Sequence, residues 1–374
     1  MRLASFNVEN LFQRPKALNN ETWQEGKPIL DAYAELQALF EHATYSDADR
    51  TRILELLEAL GLRDSDESKW AYLRRSRGQL LARHRDHTVE VIADGRGDWI
   101  GWLELKVEAV DEEATRNTAR VIAAVDADVL AVIEAEDRPA LVRFNHDVLP
   151  TAADGDPAAF RYDHVMLVDG NDDRGIDVGL FTKDAYAIRS IVSHVDDRQA
   201  DGTPVFSRDC AEYEIDVPGQ EPILVLVNHF KSKGFGSPQV SNARRRAQAA
   251  RVRQIVDARR AEGRERIAIV GDLNDTPGSA PLAPLLDGSD LRDVSEHPAF
   301  DPGERTGTYG TGNEKIDYIL LSPALFDHVT AGGINRSGVW HGPRVHDPWA
   351  MLPTLTSPVQ AASDHAAIWC DLDL

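Results

Sequence analysis

A chain of 374 residues with 42% apolar side chains is long enough for one large α/β domain or two ordinary ones, with ample material for a buried core. Its 62 acidic against 41 basic residues leave a net charge of −21, which argues against a protein that coats nucleic acid tightly, because the surface field repels phosphate at long range. An enzyme is less affected, since bound cations and a local basic patch offset that field where substrate docks.

No run approaches the roughly 18 consecutive apolar residues of a membrane-spanning helix. Cys210 and Cys370 cannot make a disulfide framework, and their apolar surroundings predict buried free thiols. The first six residues lack the regions of a signal peptide, so the expected location is the cytoplasm; a chain trimmed of a leader would read the same.

The chain opens on strand-like sequence. In Ser5-Phe6-Asn7-Val8-Glu9-Asn10 the polar Asn7 and Glu9 alternate with apolar residues and share one face of a strand, which is either solvated or functional. Residues 13–114 read as a mainly helical insertion. Ile29, Tyr33, Leu36, Leu39 and Phe40 fall at helical spacing. A second helix follows Asp47 as N-cap, carries Ile53, Leu54, Leu57 and Leu60, and stops at Gly61. A third carries Trp70, Leu73, Leu80 and Leu81, and two short strands cover 88–92 and 99–105. The basic runs Arg74-Arg75-Ser76-Arg77 and Arg83-His84-Arg85 stand out in so acidic a chain. Either this insertion roofs a phosphate site with them, or it stabilises the fold or an oligomer while they pair with the abundant acids.

From about residue 117 helical patterns alternate with short β-rich runs, as layered α/β folds do. Residues 129–133, 177–181, 223–227, 267–270 and 316–321 predict buried strands, 366–370 a final strand, and 242–260 a helix with Ala247, Ala250, Val252, Ile255 and Val256 among arginines. Core strands end in Glu134, in Asn228-His229, and in Asp272 with Asn274, a polar rim on which a site can be built.

A carboxylate at the mouth of a buried strand costs free energy unless it is paired or binds a metal, so Glu134 is a candidate ligand or a plain loop acid. In Val270-Gly271-Asp272-Leu273-Asn274-Asp275 the glycine permits close backbone packing. Asp272 can orient or deprotonate water and Asn274 can donate to a phosphoryl oxygen; an Asx-turn is the structural alternative. His229, followed by Lys231, Lys233 and Gly234, suits a phosphate-facing loop. Asp317 lies inside an apolar strand and needs a partner; His365 is available, while Asp364 beside it can hold a metal.

In this order the motifs resemble the endonuclease/exonuclease/phosphatase superfamily, typified by deoxyribonuclease I and the exonuclease III type abasic-site endonucleases. Asn7-Val8-Glu9 resembles the family's Asn-x-Asp/Glu, Glu134 its metal-binding Glu and His229 its mid-chain His. Asp272 and Asn274 resemble Gly-Asp-x-Asn, Asp317 the acid of Asp-Tyr-Ile/Phe, and Asp364 with His365 the terminal Ser-Asp-His. The resemblance covers residues 1–12 and roughly 117–374.

It implies an α/β four-layer sandwich, with two mixed β-sheets face to face and helices outside. It further implies Glu134 as the main Mg²⁺ or Mn²⁺ ligand, with Asn7, Glu9 and Asp364 completing the site, an all-oxygen set that suits hard cations. Asp272 would position the attacking water, Asn274 and His229 would bind phosphate, and Asp317 would hold His365. The Asp173-Arg174-Gly175-Ile176-Asp177 run and the lysines after His229 resemble bacterial nuclease-type members, so Arg174 and Lys231 are candidate phosphate contacts, with a surface salt bridge the alternative for Arg174.

Two features depart from the family: some hundred residues separate the first strand from Glu134, and the Pro-Ala-Trp-Cys-Asp-Arg run of inositol polyphosphate 5-phosphatases is replaced by Gly312-Asn313-Glu314-Lys315-Ile316-Asp317. The expected function is a metal-dependent phosphodiesterase, foremost a nuclease. The alternatives are a hydrolase of small phosphodiesters or phosphomonoesters, and an inactive scaffold. The expected partner is a nucleic acid or small phosphodiester substrate, with no membrane, and no protein partner is inferable.

Overall fold

Two mixed β-sheets organise the larger part of the chain in a computed structural model that describes residues 1–17, 23–152, 160–172, 174–234, 237–343, 345–346 and 348–374, the first three residues of 23–152 by backbone alone. The chain divides into two compact units: Met1–Phe12, Val110–Lys233 and Gln239–Leu374 form one, Gln13–Ala109 with Gly234–Pro238 the other.

In the first unit a seven-stranded sheet runs Phe300–Asp301, Val329–Asn335, Ala367–Leu372, Arg2–Asn7, Val129–Ala135, Asp177–Thr182, His164–Val168 in spatial order. A six-stranded sheet runs Ile188–Val192, Cys210–Ile215, Ile223–His229, Ile267–Asp272, Asp317–Leu321, Arg292–Asp293. Each contains parallel and antiparallel pairs. Their facing sides share one core, with Leu3, Ala131 and Leu180 from the first sheet against Val225, Val270 and Ile319 from the second.

Helix Glu112–Val125 packs Ala119, Ile122 and Val125 on the outer side of the first sheet, against Phe6 and Val132. Asp111 caps it, its side chain accepting from the backbone N–H of Glu113 and Ala114. Helix Pro238–Ala261 lays Ala249, Val252, Ile255 and Val256 on the outer side of the second sheet; of the apolar residues expected on it, Ala247 and Ala250 are only half-buried. The result is the expected helix–sheet–sheet–helix sandwich. Cys210 and Cys370 are free and buried in its core. Among the described residues no helix is long and apolar enough to cross a membrane.

The second unit has its own core around Leu36, Phe40, Leu57, Trp99 and Leu103. Helix Trp23–Phe40 follows the predicted spacing. Helix Asp47–Ala59 is capped one residue earlier than expected, by Ser46, whose hydroxyl accepts from Asp49 N–H while the Asp49 carboxylate accepts from Ser46 N–H, a reciprocal capping box. The expected third helix is instead a β-strand, Ala71–Arg77, paired antiparallel with Ile100–Leu105. Gly78 decides this: its φ is +72° and a Cβ there would lie 2.2 Å from the carbonyl oxygen of Asp98, so the chain turns and cannot continue a helix through Leu80. Two further pairs, Leu81–Arg83 with Val89–Val91 and Gln13–Pro15 with Val107–Ala109, add short strands to helices Trp23–Phe40 and Asp47–Ala59 of this unit.

Candidate active site

Side chains alternate across a strand, and that period gathers the candidate residues. In Arg2–Asn7 the residue Leu3 faces the inter-sheet core while Ala4 and Phe6 face the helices, so Asn7 shares the side of Leu3. By the same alternation His229 continues Val225 and Val227, Asp272 continues Ala268 and Val270, and Asp317 precedes Ile319 and Leu321. All four therefore project between the sheets at one end of the sandwich. In register, His229 lies beside Asp272 and Asp272 opposite Asp317. Gly271 makes this close packing possible: its φ is +127°, and a Cβ would lie 1.9 Å from the Asn228 carbonyl oxygen.

Asp272 is the hub, and it is fully buried. Its carboxylate accepts from Asn7 Nδ2 at 3.3 Å, Asn274 N–H at 2.7 Å and Asn274 Nδ2 at 3.0 Å. Around it stand His229 Nε2 at 3.7 Å and His365 Nε2 at 3.9 Å. The Asn274 amide also donates to the Phe230 carbonyl, so in this arrangement it holds Asp272. Asp317 meets His365 Nδ1 at 2.9 Å, which supplies the partner that a buried acid requires. Both N–H groups of Ile316 and Asp317 donate to Thr308 Oγ1, and Ala366 N–H donates to the Thr308 carbonyl, which ties the two final motifs together.

Burial and the facing charge of Asp317 push the Asp272 carboxyl well above the usual range, with the neighbouring His365 opposing. Burial would lower His365, but Asp317 and Asp364 outweigh it and hold the imidazolium well above its ordinary value. His229 is driven the other way, by burial and then by Arg208, and is a neutral imidazole. The site thus holds one cationic and one neutral histidine on either side of a carboxyl.

Glu134 breaks the alternation. Leu130 and Val132 face the helices, and an unbroken strand would send Glu134 after them. Asp177 pairs with Ala135 and Val178 with Ile133, which leaves Glu134 as the extra residue of a β-bulge, with a φ of +66°. A bulge re-aims a side chain, and Glu134 Oε1 comes to 3.4 Å from His229 Nε2 of the other sheet. Of the six described non-glycine residues with positive φ, Glu9, Asn10, Glu134 and Asn274 lie here, and such backbone persists where the surrounding structure over-determines it. Asn10 N–H donates to the Glu134 carbonyl, Glu9 N–H to Asn7 Oδ1, and Asp364 N–H to Glu9 Oε2.

These contacts tie Glu9 to Asn7 and to Asp364 and set Asn10 against Glu134; an all-oxygen set drawn from Asn7, Glu9, Glu134 and Asp364 would fit a hard divalent cation. Among the described residues, one donor atom each from Glu134, His229 and Asp272, and likewise from Asp272, Asp317 and His365, lies within 4.8 Å of the others.

Arg174 forms a two-point ion pair with Asp172 at 2.6 and 2.8 Å, and the pair is nearly buried, unlike the surface bridge expected as its alternative. Arg208 Nε lies 3.1 Å from the same carboxylate. Burial opposes ionisation of Asp172, yet Arg174 and Arg208 hold it well below the usual range. Lys231 is pushed down to about 7 by burial and then by Arg174 and Arg208, so it belongs to this cationic group. Lys233 is paired with Asp275 at 3.0 Å. Asp173 lies outside the described residues.

Sequence reading missed Arg208, fully buried with its guanidinium donating to the Phe230 carbonyl, and Tyr309, whose ring lies 4.9 Å from that of His365. Arg208 stands in Phe206-Ser207-Arg208-Asp209, a run without a short-range signature. Tyr309 sits in the glycine-rich run Thr306-Gly307-Thr308-Tyr309-Gly310, where close backbone approach was the available signal.

The sequence pattern of the Endonuclease/Exonuclease/phosphatase family matches residues 109–365. Comparison with curated proteins gives no match. Among solved structures the chain is similar to a mannosyl-6-phosphatase from Bacteroides thetaiotaomicron, at 15% identity over 70% of this chain and 92% of the other, with a TM-score of 0.47. It is also similar to truncated TDP2 from Caenorhabditis elegans, at 15% identity, 69% and 89% coverage and a TM-score of 0.46. For the catalytic domain of human Nocturnin with a bound sulfate the values are 15%, 71% and 87%, and 0.48.

Proposed function

Since this chain belongs to the endonuclease/exonuclease/phosphatase family, whose members are hydrolases of phosphoesters, we propose that it is a divalent-metal-dependent phosphodiesterase and specifically a nuclease. The observation that carries this reading is the Asn7–Asp272–His365–Asp317 hydrogen-bonded array, set beside His229 and Glu134 at the junction of the two sheets.

Asp272, fixed by Asn7 and Asn274, orients the attacking water and accepts its proton. Water oxygen joins phosphorus, the ester oxygen leaves, and the released alcohol recovers a proton. His365, kept cationic by Asp317, faces the charge that develops on the phosphoryl oxygens. His229 is neutral and can donate a hydrogen bond to one of those oxygens. Lys231, beside the buried Arg174–Asp172–Arg208 group, draws in the phosphate. Glu134, with Asn7, Glu9 and Asp364, would hold Mg²⁺ or Mn²⁺, which when bound supplies Lewis-acid stabilisation of phosphoryl charge.

The net charge of −21 favours one rival, a hydrolase of small phosphodiesters or phosphomonoesters, because a short substrate meets less of the repelling surface. A metal-replete panel of plasmid DNA, single-stranded DNA, RNA, a chromogenic phosphodiester and a phosphomonoester separates the two. We expect cleavage of nucleic acid that stops in EDTA and falls severely in Glu134→Gln with an unchanged circular dichroism spectrum. Full activity in excess chelator would overturn the mechanism, and turnover confined to the small esters would overturn the nuclease assignment.

A further inference from the structure

The strand pair Ala71–Arg77 and Ile100–Leu105 has two unlike faces. Ala71, Leu103 and Leu105 enter the core of the second unit. The opposite face carries Tyr72 across from Glu104 and Arg74 across from Trp102. Trp102 is 44% exposed, a large indole held open on a rigid strand. The Arg74 guanidinium lies over the Tyr72 ring at 4.2 Å, and Lys106 Nζ lies 4.6 Å from the same ring. The register shifts between Arg75 and Arg77, which brings Arg77 opposite Ile100, two residues from Trp102 and on its side.

Over residues 69–85 the chain has six cations and no acid, in a molecule of strong net negative charge. Arg74 is neutralised by Glu104 at 2.8 Å and Arg83 by Asp66 at 2.7 Å. Among the described residues Arg75, Arg77 and Arg85 have no ion-pair partner, and all three are exposed.

We infer that this face binds single-stranded nucleic acid, with a base stacked on Trp102 and a backbone phosphate met by Arg77. Aromatic platforms flanked by cations bind single strands because every base presents a π-face and every nucleotide a charge. An acidic protein would engage Arg77 but leave the indole beside it unused, and a duplex keeps its base faces stacked inside. The choice of nucleic acid over another polyanion rests on the phosphodiesterase reading above.

The test measures fluorescence anisotropy of a labelled ~15-nucleotide dT strand, a length that spans one such platform, with the full chain in EDTA so that binding is read without hydrolysis. Trp102→Ala should weaken binding by roughly five- to a hundredfold, the worth of one stacked base, while Trp102→Phe keeps most of it. Arg77→Ala should flatten the dependence of log affinity on log salt by about 0.7 for the phosphate no longer neutralised; being exposed, this position keeps the test valid if Trp102→Ala lowers the melting temperature. Duplex of the same length and polyglutamate should compete poorly. Wild-type affinity in both variants, or polyglutamate competing as well as dT, overturns the inference. Cleavage is scored separately in Mg²⁺: Trp102-dependent binding without cleavage of any nucleic acid sinks the nuclease reading alone, and cleavage with Trp102-independent binding sinks this inference alone.

Discussion

Asp272 and Asp317 face each other across adjacent strands, an arrangement in which like charges destabilise the sheet unless something lies between them. Asn7 and His365 do, at 3.3 and 2.9 Å from one or other carboxylate. This makes a graded series of substitutions informative. Asp272→Asn keeps shape and loses the proton acceptor, so kcat should fall on the order of 10²–10⁴. His365→Ala should cost at least as much. Asp317→Asn should cost less, because it acts only through His365. Steady-state kinetics on one substrate gives the ordering, and a wild-type rate in Asp272→Asn contradicts the assignment. At this scale much was readable in the sequence, since each of these residues sits beside its own apolar strand. Arg208 and Tyr309 were not, because they meet the Phe230 carbonyl and His365 only through packing between segments far apart along the chain.

At the scale of elements, the site depends on how closely its strands approach. Gly271→Ala forces a Cβ against the Asn228 carbonyl at 1.9 Å in a backbone conformation that suits glycine; overpacking and backbone strain together should cost about 2–5 kcal/mol, read as a lower denaturation midpoint.

The loop leading to Arg208 is tied down by His194, whose Nε2 lies 2.6 Å from Glu212 and Nδ1 3.0 Å from Asp197, with Arg259 on the same Glu212 and Arg251 on the same Asp197. Burial opposes charge on His194, but Glu212 and Asp197 raise its pKa above the ordinary value. The folded state therefore binds this proton more tightly than the unfolded chain does. The stabilisation is complete below the unfolded value of about 6.5 and is lost as pH rises through the higher folded one. Melting temperature should fall over that alkaline window in the wild type and fall less in His194→Gln, which should already be less stable at pH 6. Parallel pH profiles of the two proteins would dismiss the clamp.

For the whole molecule the net charge of −21 implies self-repulsion in the folded state, which is screened as the Debye length shrinks from about 30 Å at 0.01 M salt to about 10 Å at 0.1 M. Melting temperature should rise over that range; a fall would mean that the many surface ion pairs outweigh the repulsion.

The sequence alone determined the core strands and the polar residues that end them, and the four-layer sandwich was what the family resemblance implied. Apolar runs such as residues 223–227 and 267–270 are too short and too uniformly buried to be anything but core strands, and the polar residue that ends each must lie at a sheet end. Which side of each strand faces the other sheet, and so that Asn7, His229, Asp272 and Asp317 share it, came only from the packing, because strands buried on both faces do not announce it. Tertiary structure decided the rest. Residues 71–77 became a strand because Gly78 turns the chain against Asp98, an approach no local spacing announces, and Arg174 was claimed by Asp172. Glu134 faces His229 only because a bulge with a left-handed residue reverses its side, and nothing in Val132-Ile133-Glu134-Ala135 encodes a bulge: it arises from the pairing of Asp177 with Ala135 and of Val178 with Ile133, between strands more than forty residues apart.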